Sequence, residues 1–153
     1  MISLDTNILY HAWSHVSPVH QHAAEWVSEL SQSRQVVISE FVLAEFYVLL
    51  RNPRVTLGDP LKGSEAVNVI EKFRSHPRWR LVGFSGNSLK AHNVMWQMAG
   101  QENFAYRRLY DLRMAISLMD HGVTHFATCN IKDFQGLGFT KVWNPLHENS
   151  GGV

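Results

Sequence analysis

The segment from Phe41 to Leu50 is apolar at every position except Glu45, and it restricts the possible folds of this chain more than any other feature. Ser39 precedes it as a cap-forming residue and Pro53 stops it soon after, so it reads as a helix. A helix this apolar is expected to be buried and therefore to have other elements packed around it. A carboxylate inside such a helix loses several kcal/mol of hydration unless something compensates, so Glu45 is expected to have a partner.

Around that helix, short apolar runs alternate with amphipathic ones. Ile2 to Leu4 reads as a strand, and Asp5-Thr6-Asn7 behind it as a strand-to-helix turn made of cap formers. Glu25 to Leu30 is an amphipathic helix with Glu25 and Glu29 one turn apart on its polar face. Val36 to Ile38 is a second strand, Arg54 to Gly63 a turn-rich loop, Ser64 to about Arg74 a helix, and Arg80 to Phe84 a third strand. Ser88 to about Leu109 is mostly helical with a break near Gly100, and Asp111 to His121 is a helix closed by Gly122. Val123 to Cys129 is a fourth strand, Asn130 to Gly138 a loop, and Phe139 to Trp143 a short last strand. This alternation predicts an α/β protein: a parallel sheet covered on both faces by helices, with ligands outside the carboxyl ends of the strands. Asp5 and the stretch Thr128-Cys129-Asn130 then open toward the same rim.

Length and composition exclude several alternatives. At 153 residues and 45% hydrophobic content the chain suits one domain with a real core, and 18% charged residues is too few for a disordered polymer. Fourteen basic residues against 13 acidic ones leave a net charge of +1, which provides no global field for holding nucleic acid. The single cysteine, Cys129, offers neither an intramolecular disulfide nor a zinc cluster, so a reducing, cytoplasmic setting is expected. The first residues lack a basic head and a long apolar stretch, and no window approaches the length that spans a bilayer, so neither secretion nor membrane insertion is expected.

The acids divide into two groups. Glu25 and Glu29 share a polar face and are simply solvated. Stepping 100° per residue puts Asp111 on one stripe with Ala115, Leu118 and Met119, so it faces inward, while Asp120 falls on the opposite face. Asp5, Glu45, Asp111 and Asp133 are therefore the acids without a plain explanation. If they converge, mutual repulsion raises their pKa values or demands a cation, and all-oxygen ligands select magnesium or manganese. A metal in such a site activates water and neutralises charge on a phosphodiester, which points to metal-assisted hydrolysis. Structural readings stand beside this one: Asp5 as a helix cap, Glu45 as a core acid paired with an arginine, Asp111 as a complement to a helix amino terminus.

At this point the residues match a known pattern. The chain resembles PIN-domain ribonucleases, and among them the VapC-type toxins of prokaryotic toxin-antitoxin pairs. The resemblance rests on Ile2-Ser3-Leu4-Asp5-Thr6-Asn7, on Ser39 through Glu45 with Leu50-Arg51-Asn52-Pro53, on Tyr110-Asp111 running through Ala115 to His121-Gly122-Val123, on Thr128-Cys129-Asn130-Ile131-Lys132-Asp133-Phe134 and on Asn144-Pro145-Leu146. It implies a three-layer α/β/α sandwich over residues 1–147, with 148–153 as a flexible tail. It also implies an endoribonuclease site that uses Mg2+ or Mn2+, with Asp5, Glu45, Asp111 and Asp133 as catalytic and metal-binding acids. Thr6, Asn7, Thr128 and Asn130 would support those acids. Many relatives carry an acid where Asn130 stands, so the fourth carboxylate comes from Asp133 or is missing, and the number of metal ions stays open. A cognate antitoxin that covers the acids, and a homodimer, are implied in the same way.

RNA requires cations, and two clusters offer them: Arg107, Arg108 and Arg113 flanking Asp111, and Lys72, Arg74, Arg78 and Arg80 around Trp79. The first is better placed, and Trp79 reads as a packing residue. His11 and His15 stand four apart on the first helix but have no third ligand nearby, and Cys129 beside His125 reads as a buried thiol. Apolar surface near Trp13, Trp26 and Phe46 is available for a protein partner. A catalytically inactive PIN-like module that binds RNA or protein is the alternative. An aspartyl phosphatase would want an acid two residues after Asp5, where Asn7 stands.

Overall fold

The computed structural model describes residues 1–147, so the expected tail at 148–153 lies outside the described residues. The elements follow in the order β1 (Ile2–Leu4), α1 (Thr6–Trp13), α2 (His20–Leu30), β2 (Val37–Ser39), α3 (Glu40–Leu50), α4 (Gly63–Arg74), β3 (Arg80–Val82), α5 (Ser88–Ala99), a 3-10 turn (Tyr106–Arg108), α6 (Leu109–Asp120), β4 (His125–Ala127), α7 (Ile131–Phe134) and β5 (Lys141–Trp143). Helices thus separate the strands, as the hydrophobic periodicity requires.

All strand pairings are parallel. Strands β1, β4 and β5 form one sheet and β2 and β3 a second, and a parallel bridge from Ile2 to Val36 joins them. The Ile2 amide donates to the Gln35 carbonyl at 2.9 Å beside that bridge. The resulting order is β3-β2-β1-β4-β5. From β1 the chain first winds outward to β2 and β3, then returns to lay β4 and β5 on the other side. The reversal lies between β1 and β4, where an open α/β sheet has its binding crevice.

Leu4, Ile8, Phe46, Leu112 and Phe126 are fully enclosed and form the centre of the core. Phe126 stacks on Phe139 with centroids 5.0 Å apart and planes within 7°. Helix α1 packs on α2 and α3, α3 on α4, and α5 and α7 on α6, which gives the helical layers of the sandwich. Among the described residues no helix is long and apolar enough to cross a membrane.

Several expectations need correction. Helix α3 is not buried all round: Val42, Leu43, Phe46 and Leu50 face the core, but Ala44, Glu45 and Val48 are exposed, Val48 by 58%. Hydrophobic sequence does not report whether a neighbouring element arrives, and among the described residues none covers this side. Phe46 is fully buried, so it offers no surface to a partner. The loop expected from Asn130 contains the short helix α7, begun by turn-forming residues. Helix α1 ends at Trp13 with Ser14 as its cap, so His15 lies beyond it and packs edge-on against His20, with centroids 4.4 Å apart. The His11 and His15 pair therefore shares no helix. Helix α5 stops at Ala99, and the helical region expected up to Leu109 resumes only in the 3-10 turn.

Candidate active site

Asp5 follows β1 and caps α1. It is 5% exposed, and every contact of its carboxylate follows from the local register. Parallel pairing sets Leu4 beside Ala127, and the Asp5 amide donates to the Ala127 carbonyl at 2.9 Å. The next residue on β4's side, Thr128, donates its hydroxyl to Asp5 Oδ2 at 2.6 Å. Asn7 Nδ2 donates to the same oxygen at 2.7 Å, while Oδ1 accepts from the Thr6 amide at 2.7 Å.

Asn7 ties this corner together. Its Nδ2 also reaches Thr128 Oγ1 at 3.2 Å, and its Oδ1 accepts from the Cys129 amide at 3.1 Å. Thr128 Oγ1 accepts from the Asn130 amide at 2.9 Å. Because these bonds join the first turn of α1 to the segment after β4, they cross the seam at which the strand order reverses. Despite the donors, the Asp5 pKa is raised to about 6, chiefly by burial and then by the nearby charge of Glu45, with Asp111 adding less.

Glu45 projects from the exposed side of α3. Thr6 Oγ1 donates to its Oε2 at 3.0 Å and lies 3.2 Å from the Val42 carbonyl. The reasoning from burial therefore fails for Glu45, which is exposed and held by a threonine instead of an arginine. Asp111 lies in the first turn of α6, half-buried, and has no hydrogen-bond or ion-pair partner among the described residues. Its pKa is also raised to about 6, first by burial and then by the charges of Asp133 and Glu45, with Arg108 opposing. Asp120 is exposed, and Ser85 donates its hydroxyl to it.

Asp5, Glu45, Asp111 and Asp133 line one cavity of about 360 Å³, together with Thr6, Asn7 and Asn130. Asp133 and Asn130 are both exposed on its rim. Leu49 and Phe134 complete the wall. The spacing of Leu49, one turn after Glu45, is the sequence signal for its place there. The donors are all oxygen, which suits a hard divalent cation. Among the described residues, no three of the acidic, histidine or cysteine side chains form a ready-made cluster, and the acids stand around the cavity instead of meeting at one point.

The arginines near Asp111 differ from one another. Arg108 donates to the Asp133 carbonyl at 2.9 Å and to the Gln135 carbonyl at 3.0 Å, so it fastens α7 to the 3-10 turn. Arg107 is exposed over the ring of Tyr106 at 5.7 Å. The other cluster is used structurally: Arg74 pairs with Glu40 at 2.9 Å and Glu71 at 2.7 Å, and Arg78 donates to the Gln32 carbonyl at 2.9 Å. Trp79 is buried and donates to the Leu30 carbonyl at 3.2 Å. Burial, and then the Asp5 charge, lift the Cys129 thiol to about 11, which leaves it protonated and unsuited to attack.

No family model matches the chain. It is 42% identical over 146 residues to Ribonuclease VapC24 of Mycobacterium tuberculosis, covering 95% of this chain and 97% of that protein, in strains CDC 1551 and H37Rv alike. The chain belongs to the VapC ribonucleases. Solved structures support the PIN fold of that family. The Sarcin-Ricin loop cleaving toxin VapC20 of Mycobacterium tuberculosis superposes with a TM-score of 0.59 at 17% identity, over 82% of this chain and 87% of that one. FitAcB of Neisseria gonorrhoeae gives 0.63 at 21%, over 96% and 99%. FitAB bound to a DNA fragment gives 0.62 at 20%, over 96% of both. As in these VapC and Fit proteins, the described chain is an α/β sandwich, and it places its acids at the switch point.

Proposed function

We propose that this VapC-family chain hydrolyses RNA phosphodiester bonds as the toxin of a toxin-antitoxin pair, with residues 1–147 acting as one nuclease domain in a bacterial cytoplasm. The observation that carries this reading is the single cavity lined by Asp5, Glu45, Asp111 and Asp133, four acids from four different elements with no basic side chain among its lining residues. Burial first, and then the charges of the neighbouring acids, raise the pKa values of Asp5 and Asp111, and such a site is relieved by a divalent cation.

Asp5, Glu45 and Asp111 would hold Mg2+ or Mn2+, with Asp133 reaching it from the rim. Such an ion, when bound, would supply an activated water and offset charge on the phosphate. The chain's own residues do the rest. Thr6, Asn7 and Thr128 fix the orientation of the Asp5 carboxylate at the cavity wall. The Thr6 hydroxyl turns Glu45 toward the same space. Arg108 holds α7, and with it Asp133, against the start of α6. Arg107 and Arg113 offer cations to flanking phosphates, Asn130 offers an amide in place of a further carboxylate, and an antitoxin segment is the partner that shields the acids, with a homodimer as the assembly.

An inactive PIN-like binding module is less consistent with the site, because two carboxylates with raised pKa values destabilise a metal-free protein for no return. The test is incubation of the purified chain with total RNA in Mg2+, Mn2+ or EDTA. Cleavage is expected with either ion and none in EDTA. Cleavage that continues in chelator, or in Asp111→Asn, overturns the mechanism.

A further inference from the structure

Two histidines meet at the far end of α1 from the acids, and the acid cavity does not use them. Ser14 caps α1, and the connection to α2 is held by its own backbone: the Ser17 amide donates to the Ser14 carbonyl at 3.0 Å, and the His20 amide to the Ser17 carbonyl at 3.1 Å. His15 stands inside the first of these turns, and His20 opens α2. Their imidazoles are thereby brought together, with centroids 4.4 Å apart and planes at 65°.

The His20 ring is also oriented. Its Nδ1 lies 3.2 Å from the His11 carbonyl oxygen, which can only accept, so Nδ1 carries the proton and in the neutral ring Nε2 keeps its lone pair. A histidine that donates one ring N–H to a backbone carbonyl and leaves the other nitrogen bare is arranged as metal-ligating histidines are. His15 is exposed, and among the described residues neither of its ring nitrogens has a hydrogen-bond partner. It lines a cavity of about 480 Å³ together with Trp13, Thr56 and Asp59. Because so much of this ring faces water, burial contributes little to holding it against His20.

We propose that His15 and His20 form a two-nitrogen site for a late first-row divalent ion, Ni2+, Cu2+ or Zn2+, which ties the end of α1 to the start of α2. With metal–nitrogen bonds of about 2.0–2.1 Å, two imidazoles ligating at a right angle have ring centres roughly 4.5 Å apart. The observed 4.4 Å is within the span that one ion bridges. Imidazole nitrogen selects these ions, whereas the all-oxygen cavity selects Mg2+ or Mn2+. One chain thus separates two classes of cation at the two ends of an eight-residue helix, about 12 Å long. Among the described residues no third histidine, cysteine or acid joins the pair, so water fills the remaining positions of an open site. The inference does not depend on the ribonuclease reading.

The test uses the full chain without an affinity tag, in excess Mg2+. Cu2+ is the probe for electron paramagnetic resonance, and Ni2+ and Zn2+ are the probes for calorimetric titration. The Cu2+ spectrum is expected to show coupling to two nitrogens, a readout that depends on no variant. Ni2+ and Zn2+ are expected to bind one per chain, and His15→Ala and His20→Ala each to weaken them by at least about 10-fold. Asp111→Asn, in the acid cavity, and His92→Ala, on α5, should bind Ni2+ like the parent. Bound Ni2+ should also slow hydrogen exchange at the Ser17 and His20 amides. A Cu2+ spectrum with oxygen ligands alone, or Ni2+ binding that survives both changes at His15 and His20, overturns the site. Binding lost in Asp111→Asn and kept in His15→Ala assigns the ion to the acids and overturns it too, and unchanged exchange with the ion bound overturns the tie between the helices.

Discussion

Asp5 and Asp111 line the same cavity and both have pKa values raised to about 6, yet they are held in opposite ways. Asp5 is enclosed and accepts three hydrogen bonds, from Thr6, Asn7 and Thr128. Asp111 is half-buried, accepts none among the described residues, and faces the charges of Asp133 and Glu45. One acid is fixed by the sheet; the other is left with its repulsion. The difference makes the site rigid on one side and adaptable on the other: the strand seam fixes Asp5, while α3, α6 and α7 carry Glu45, Asp111 and Asp133 with fewer restraints.

The largest effect expected is on activity. Asp111→Asn removes a donor and a charge, so cleavage should fall by at least about 100-fold in a gel assay of RNA in Mg2+. The same change removes a half-buried charge and with it the repulsion from Asp133 and Glu45, so the metal-free variant should melt at a higher temperature than the parent at pH 7.5 in EDTA. If calorimetry finds it lower, the repulsion assigned to Asp111 is wrong.

The pH dependence separates the metal-free and metal-loaded states. A carboxyl whose pKa is higher folded than unfolded binds more protons in the fold between the two values. Its contribution is therefore favourable below about pH 4, is lost as pH rises from 3.8 toward 6, and stays lost above that. For enclosed Asp5 the rise from 3.8 to about 6 corresponds to about 3 kcal/mol, and for half-exposed Asp111 to less after solvent screening. Melting in EDTA should thus fall between pH 4 and 6 through these groups. Cleavage should run the other way and decline as pH drops through about 6, since protons compete with the ion.

Adding Mg2+ should restore what the acids lose. At 100 times its dissociation constant an ion stabilises the fold by about 3 kcal/mol. The melting temperature should rise with Mg2+ at pH 7.5 and much less at pH 5. Thr128→Val tests the fixed side of the site: it removes the donor to Asp5 and the acceptor for Asn7 and Asn130, and should cost about 1–3 kcal/mol in urea unfolding, with a smaller loss of activity than Asp111→Asn. Smallest of all, Arg74→Ala should leave cleavage unchanged, because its pairs with Glu40 and Glu71 are exposed and lie in the cluster of arginines used structurally.

Much of the fold was legible because it follows from local chemistry. Ser39 as a cap, Gly122 with φ +84 after α6, and the cap formers behind Ile2–Leu4 each mark an element boundary by its own backbone needs. The stripe through Asp111 and Ala115 was also legible, since 100° per residue is a property of the helix alone. Glu45 shows the limit. The apolar run around it suggested burial, but Val48 and Glu45 face outward because no element among the described residues covers that side of α3. Arg108 shows the same limit: nothing in its spacing from Asp111 announced that it would donate to the carbonyls of Asp133 and Gln135 and so fasten α7.

The sequence by itself determined the periodicities: which segments wind, where they stop, and which acids lack a solvated face, all set by interactions within a few residues. Only the tertiary structure decided which of those acids share a cavity, how Asn7 and Thr128 bridge 121 positions of chain, and that Arg113 lies between Phe41 and Tyr110. Those outcomes depend on the strand order β3-β2-β1-β4-β5, and a chain's local preferences do not encode which distant strands become neighbours.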